Sequence, residues 1–171
     1  MRMLLGRREF INRGLAAAAM LGAGGCDGGA KPPANGQPAP AFRLSLLGGG
    51  SAAFPDDYSG RVLALRFWAD WCPFCKKEMA EVETVFRRRR DEGLAVLAIN
   101  VSQSPAAVEK FVRPLGVSYD IGLDEASEVA RLYAVTALPV TLFIDRSGLL
   151  RSKILGESDA ATFAAKVEEL L

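Results

Sequence analysis

The sequence contains no histidine. This excludes His-based general acid–base catalysis, Ser-His-Asp and Cys-His nucleophile machinery, and any metal site that needs imidazole. It also excludes covalent haem attachment through C-x-x-C-H, because Lys76 follows Cys75. Cysteine is scarce: the 171 residues include only Cys26, Cys72 and Cys75. Three thiols cannot build a disulfide scaffold, so the fold must rest on an apolar core. An excess of one charge is missing too. Lys+Arg is 21 and Asp+Glu is 20, a net +1 without the basic surplus typical of nucleic-acid binders. What is present, 50% hydrophobic and 24% charged residues, is the composition of a globular chain, and the length sets one domain.

Residues 1–25 read as a signal peptide. Arg2, Arg7, Arg8 and Arg13 form a basic start, followed by an Ala-rich apolar segment from Gly14 to Ala23. That segment is too short to span a bilayer, which takes roughly 20 residues. Arg7-Arg8-Glu9-Phe10-Ile11 resembles the twin-arginine export consensus; the alternative is an ordinary Sec signal with a basic end. Leu21-Gly22-Ala23-Gly24-Gly25-Cys26 resembles a bacterial lipoprotein cleavage box, although Ala23 stands where Leu is usual. Cys26 would then carry acyl chains and anchor the protein, and Asp27 resembles an inner-membrane retention signal. The alternative is a stray Cys beside a standard cleavage site. Removing residues 1–25 takes away four Arg and one Glu and leaves a formal charge of −2, so the positive balance belongs to the signal. Residues 26–40 are rich in Gly and Pro and read as a flexible linker that holds a domain at 41–171 off the membrane.

Within that domain, Phe42–Leu47 alternates and is followed by Gly48-Gly49-Gly50, an N-terminal hairpin. Val62–Trp68 and Leu94–Val101 are apolar runs of the kind expected for buried central strands. Residues 73–90 read as a helix, with Pro73 in its first position. Ser104-Pro105 opens a second helix. Residues 117–121 read as a short strand, and Asp124 as the cap of a helix reaching Tyr133. Val140–Ile144 and Leu149–Leu155 form a hairpin, and Ser158 or Asp159 caps a last helix to Leu171. The order β-α-β-α-β-α-β-β-α predicts an α/β domain with parallel crossovers and then an antiparallel hairpin.

The chemistry-bearing motif is Cys72-Pro73-Phe74-Cys75, at a strand-to-helix junction. Cysteines three apart share a helix face, so their sulfurs can bond. Unpaired N–H groups at a helix start favour a thiolate, which is the attacking species in disulfide exchange. Cys72 suits attack and Cys75 resolution. Half a zinc site is the alternative, but the domain offers no histidine and no third cysteine to complete it.

Phe67-Trp68-Ala69-Asp70-Trp71-Cys72-Pro73-Phe74-Cys75, continued by Lys76-Lys77-Glu78-Met79, resembles the active-site segment of the TlpA/ResA-like thiol-disulfide oxidoreductases of the thioredoxin superfamily. Val135-Thr136-Ala137-Leu138-Pro139-Val140-Thr141 resembles a second family landmark. The resemblance covers residues 41–171. It implies a thioredoxin-like fold: a central mixed sheet flanked by helices, with the N-terminal hairpin as an extension. It further implies a cis-Pro at Pro139 facing the active cysteine, with a substrate chain pairing to the backbone beside Leu138; a trans strand-start proline is the alternative. In the implied mechanism Cys72 attacks a substrate disulfide, Cys75 resolves the mixed disulfide, and a membrane dithiol donor re-reduces the pair. No cofactor is needed. Substrates would be disulfides of exported proteins, such as those of cytochrome c or of metal sites. Trp71 beside Cys72 would shape a partner groove.

Three residues depart from the family pattern. Pro-Phe between the cysteines is similar to glutaredoxins and to the oxidant DsbA, which leaves the direction of electron flow open. Arg66 replaces a buried Asp or Asn. It either snorkels to water or pairs with Glu78, which matches a carboxylate implied to assist proton transfer. Ala80 replaces a helix Pro. Arg87–Arg90 reads as a solvated helix end neutralised by Asp91 and Glu92, or as a docking site for anionic headgroups. The leading reading is a membrane-tethered reductase. An oxidase or isomerase, and a copper-handling assembly protein using the cysteine pair, are the alternatives.

Overall fold

The structure, a computed structural model, describes residues 32–171; the signal, Cys26 and the first part of the linker lie outside the described residues. Among these residues, seven strands form one mixed sheet: β1 (Phe42–Leu46), β2 (Ser51–Phe54), β3 (Val62–Trp68), β4 (Leu94–Val101), β5 (Asp120–Asp124), β6 (Val140–Ile144) and β7 (Leu150–Leu155). Four helices join them: α1 (Cys75–Arg89), α2 (Pro105–Val112), α3 (Glu128–Leu132) and α4 (Ala160–Glu168). The strand order is β2-β1-β5-β4-β3-β6-β7. β3 runs parallel to β4, and β4 to β5, while β6 is antiparallel to both β3 and β7.

The apolar character of β3, interrupted only by Arg66, follows from its place. Every residue is buried, because the strand is covered on both faces. Leu63, Leu65 and Phe67 enter the core on the α3 side, whereas Val62, Ala64 and Trp68 enter the core formed with α1, α2 and α4. Arg66 falls in the second set by alternation. The β1–β2 hairpin turns through Gly49 and Gly50, at φ of 92° and 79°, a region that side chains rarely adopt.

Several boundaries differ from those read in the sequence. The third parallel strand is Asp120–Asp124 rather than 117–121. The cause is Glu83 on α1. Its carboxylate accepts from the Ser118 backbone N–H at 2.8 Å and from the Ser118 hydroxyl at 2.7 Å, while the Tyr119 hydroxyl donates to the Met79 carbonyl at 3.1 Å. Residues 118 and 119 are thereby committed to α1. Asp124 ends β5 instead of opening a helix; Ser127, at φ 56°, takes the N-cap position of α3. The Asp124 carboxylate still accepts from the N–H groups of Val129 and Ala130, so it caps the helix from a distance. Asp159 caps α4 by accepting from Thr162 N–H, and α4 stops at Glu168.

Residues 36–39, read as linker, are held against the sheet. Gly36 N–H donates to the Leu150 carbonyl, Leu150 N–H to the Gln37 carbonyl, and Ala39 N–H to the Gly148 carbonyl. Pro38 bridges Leu149, and Ala39 is buried in the core.

Glu83 also gives a pH prediction. Burial opposes its charge, but the two Ser118 bonds and Arg87 together outweigh that and hold its carboxyl below the usual 4.5. A carboxylate held low in the fold stabilises it above its unfolded value, and that stability is lost as pH falls below about 4.5. Glu83→Gln should therefore lower the melting temperature at pH 7 and narrow the gap to wild type as the pH is taken from 5 to 3. A gap that stays constant over this range would count against the assignment.

Candidate active site

β3 ends at Trp68, and the chain crosses from Ala69 to Phe74 before α1 begins. Cys72 N–H donates to the Ala69 carbonyl and Cys75 N–H to the Cys72 carbonyl, each at 3.2 Å. The Glu78 N–H then reaches the Phe74 carbonyl at 3.2 Å, the first bond of helical spacing. Helix α1 consequently starts at Cys75 with Phe74 as N-cap. Pro73, read from the sequence as the first helical residue, lies in the preceding turn, and Cys75 is the first residue of the helix. Phe74 supplies no side-chain cap, and of the first three N–H groups of α1 only that of Cys75 is taken up, by the Cys72 carbonyl.

Cys72 and Cys75 form a disulfide with Cα atoms 5.4 Å apart, well within the ordinary range. Both residues are buried, at 2% and 0% exposure. Around them the surface is aromatic: Trp71 is 68% exposed and Phe74 46%, unusual for side chains of this size. The Leu138–Pro139 peptide at the start of β6 is cis. Leu138 packs against the cluster that contains both cysteines. The Pro139 carbonyl accepts from Gly156 N–H at 2.9 Å, so the loop is anchored on its β7 side.

A buried ion pair joins β3 to the first turn of α1. Arg66 Nη2 donates to Glu78 Oε2 at 2.5 Å, with the two side chains 1% and 4% exposed. Thr141 stands opposite Arg66 in the β3–β6 register, and its hydroxyl accepts from Arg66 Nη1 at 3.0 Å. Glu78 Oε1 accepts from the Ser158 backbone N–H and, at 3.3 Å, from the Ser158 hydroxyl. The pair ties together the central strand, the first turn of α1 and the approach to α4. Within this pair, Arg66 Nε has no hydrogen-bond partner among the described residues.

A disulfide at the end of a central strand and the start of a helix, over a sheet of this order, is the arrangement of the thioredoxin-like fold. The sequence matches the AhpC/TSA family over residues 35–153. It is 35% identical over 121 residues to the thiol-disulfide oxidoreductase ResA of Geobacillus thermodenitrificans, covering 71% of this chain and 69% of that one. The chain belongs to the ResA-type thiol-disulfide oxidoreductases of the AhpC/TSA family. The ResA of Bacillus subtilis is 29% identical over 155 residues, covering 88% of this chain and 86% of that one. Among solved structures, a thiol:disulfide interchange protein of the thioredoxin family from Chlorobium tepidum superposes with a TM-score of 0.71 at 23% identity, over 82% of this chain and 97% of that one. This last likeness is one of fold.

Within this oxidoreductase, two site neighbours are invisible in the motif. Gln103 Oε1 accepts from the Asp70 backbone N–H at 2.8 Å and from Asn100 Nδ2 at 2.8 Å. Asn100 is fully buried at the end of β4, opposite Trp68 in the register. The two residues fasten the turn that carries Cys72 to the neighbouring strand. The one sequence signal for them was a polar residue, Asn100, interrupting an apolar run. Gln103→Ala should slow reduction of a model disulfide by the protein, whereas Gln103→Glu, which keeps the acceptor oxygen, should retain most of the rate. Stopped-flow measurement of both variants checks this; equal rates in Ala and wild type would remove Gln103 from the site. Among the described residues no group of three or more His, Cys, Asp or Glu is placed to hold a metal ion.

Proposed function

We propose that this oxidoreductase is a membrane-tethered, extracytoplasmic reductase of disulfides in exported proteins, with substrates such as the cysteines of cytochrome c or of metal sites. Residues 1–25 are its signal, Cys26 its lipid anchor on the inner membrane, and residues 41–171 its catalytic domain. In the reduced enzyme the Cys72 thiolate attacks one sulfur of the substrate disulfide. A Cys72–substrate disulfide forms, and the other substrate sulfur leaves as a thiolate that takes up a proton. Cys75 then gives up its proton and attacks the Cys72 sulfur. The Cys72–Cys75 bond closes and the second substrate thiol departs, so two electrons have passed to the substrate. A membrane dithiol donor returns two electrons to the enzyme.

Glu78, three residues beyond Cys75 on the same helix, is the proposed acceptor of the Cys75 proton, and Arg66 holds it in place. Trp71, Pro73 and Phe74 form the rim that a partner meets. Leu138 and Pro139 offer the opposite wall, where proline leaves no N–H of its own to compete with a substrate strand. The observation that carries the reading is the closed Cys72–Cys75 pair at the foot of α1, buried under an exposed aromatic rim.

The equilibrium reduction potential of Cys72–Cys75, measured on residues 32–171 in dithiothreitol and glutathione buffers, tests it. A value near about −270 mV, that of thioredoxin, supports a reductase. A value near about −120 mV, that of DsbA, reverses the direction of electron flow and makes the protein an oxidant.

A further inference from the structure

The segment read as a spacer does not hang free for its whole length. Besides the backbone bonds of Gly36, Gln37 and Ala39 to the end of the β6–β7 hairpin, the Lys153 ammonium donates to the Pro33 carbonyl at 2.6 Å. Pro32 forms a wall of a groove whose other walls include Tyr133, Ala137, Val140, Leu155 and Gly156. Those residues adjoin Pro139 and lie at the end of the sheet where β3 delivers Cys72, since Val140 is opposite Phe67 and Leu155 is opposite Val140. The first described residue is thus placed on the redox end of the domain.

Only Asp27–Lys31 separate Pro32 from Cys26. Six residue steps, fully extended, reach about 20 Å. A domain of this size is about 35–40 Å across. An anchor at Cys26 therefore cannot hold the domain by its far end. The surface on the near end suits a bilayer interface. Trp71, Phe74 and Leu155 are 68%, 46% and 75% exposed, and aromatic and aliphatic side chains of this kind settle at the headgroup level. Charge contributes little, because Lys76 and Lys77 are offset by Asp70, Glu157 and Asp159.

We propose that the docked Pro32–Ala39 segment turns the Cys72 face, with Trp71, Phe74 and Leu155, toward the lipid surface. This rests on the reading that Cys26 is acylated. Its consequence is a restriction on partners: they present their reacting cysteines at the membrane surface rather than at a distance from it.

The test uses the full chain, produced in a bacterium that processes lipoproteins and reconstituted into phosphatidylcholine vesicles containing lipids brominated near the headgroup. The mass of the N-terminal peptide reports acylation, and the emission difference between wild type and Trp71→Phe isolates Trp71. With Cys26 acylated, roughly half or more of the Trp71 emission should be quenched. Inserting about 20 Gly/Ser residues between Lys31 and Pro32 should restore it, because such a linker is flexible and long. An acylated chain whose Trp71 is unquenched overturns the orientation and leaves the anchor reading intact. Quenching that survives the insertion overturns the role of the docked segment. A peptide without acyl mass overturns the anchor reading, and the orientation with it.

Discussion

Cys72→Ser should bring disulfide reduction down to the uncatalysed level, whereas Cys75→Ser should stop turnover after one half-reaction and accumulate a mixed disulfide. The asymmetry comes from position. Cys75 is the first residue of α1 and is fully buried, with Met79 and Val82 of the same helix in its core cluster. Cys72 lies in the turn before the helix, between the exposed Trp71 and Pro73, so a modest opening of that turn brings its sulfur to the surface. The uncapped N–H groups at the start of α1 favour negative charge there, which is what an attacking thiolate and a departing one both require. Mass spectrometry of each variant after mixing with an oxidised protein substrate checks the roles. One covalent adduct per chain on Cys75→Ser, and none on Cys72→Ser, is the expected result. Adducts on Cys72→Ser instead would exchange the two assignments.

The motif could be placed in the fold from sequence because its signals are local and strong. A seven-residue run that is apolar but for Arg66, a short turn and a C-x-x-C before an amphipathic pattern leave few ways to arrange strand and helix. The runs at Val62–Trp68, Leu94–Val101 and Val140–Ile144 became strands with those bounds, since central strands are set by burial on both faces. Errors fell where a single tertiary bond outweighed local propensity. Val117 and Tyr119 look like strand residues, but Glu83 draws Ser118 onto α1 and delays β5 to Asp120. Asp124 looks like a helix cap and does cap α3, yet from the end of a strand. The docking of Gly36–Ala39 had no local signal: glycine, glutamine, proline and alanine say nothing of the carbonyls of Gly148 and Leu150 that receive them. The same holds for Gln103, which matters only because the fold sets it beside Asp70.

Arg66 and Glu78 carry the largest expected effect on stability. A buried ion pair is a weak source of net stability, because desolvation of two charges offsets their attraction; removal of one partner is different, for it leaves a lone charge in the core at a cost of about 3–5 kcal/mol. The two single variants should not be equal. Glu78→Gln leaves a guanidinium that has no means of becoming neutral, with only Thr141 and the new amide around it. Arg66→Met leaves a carboxylate that still has Ser158 and can take up a proton. Glu78→Gln should therefore lower the melting temperature more, by roughly 10–20 °C for a domain of this size. The double variant Arg66→Met/Glu78→Gln should be more stable than the sum of the singles predicts, by more than the ~0.5 kcal/mol within which independent sites add. Thermal melts of all four proteins at neutral pH decide the matter. If the singles add without coupling, the pair contributes nothing as a unit, and in the proposed proton transfer Glu78 would have to be held by Ser158 alone.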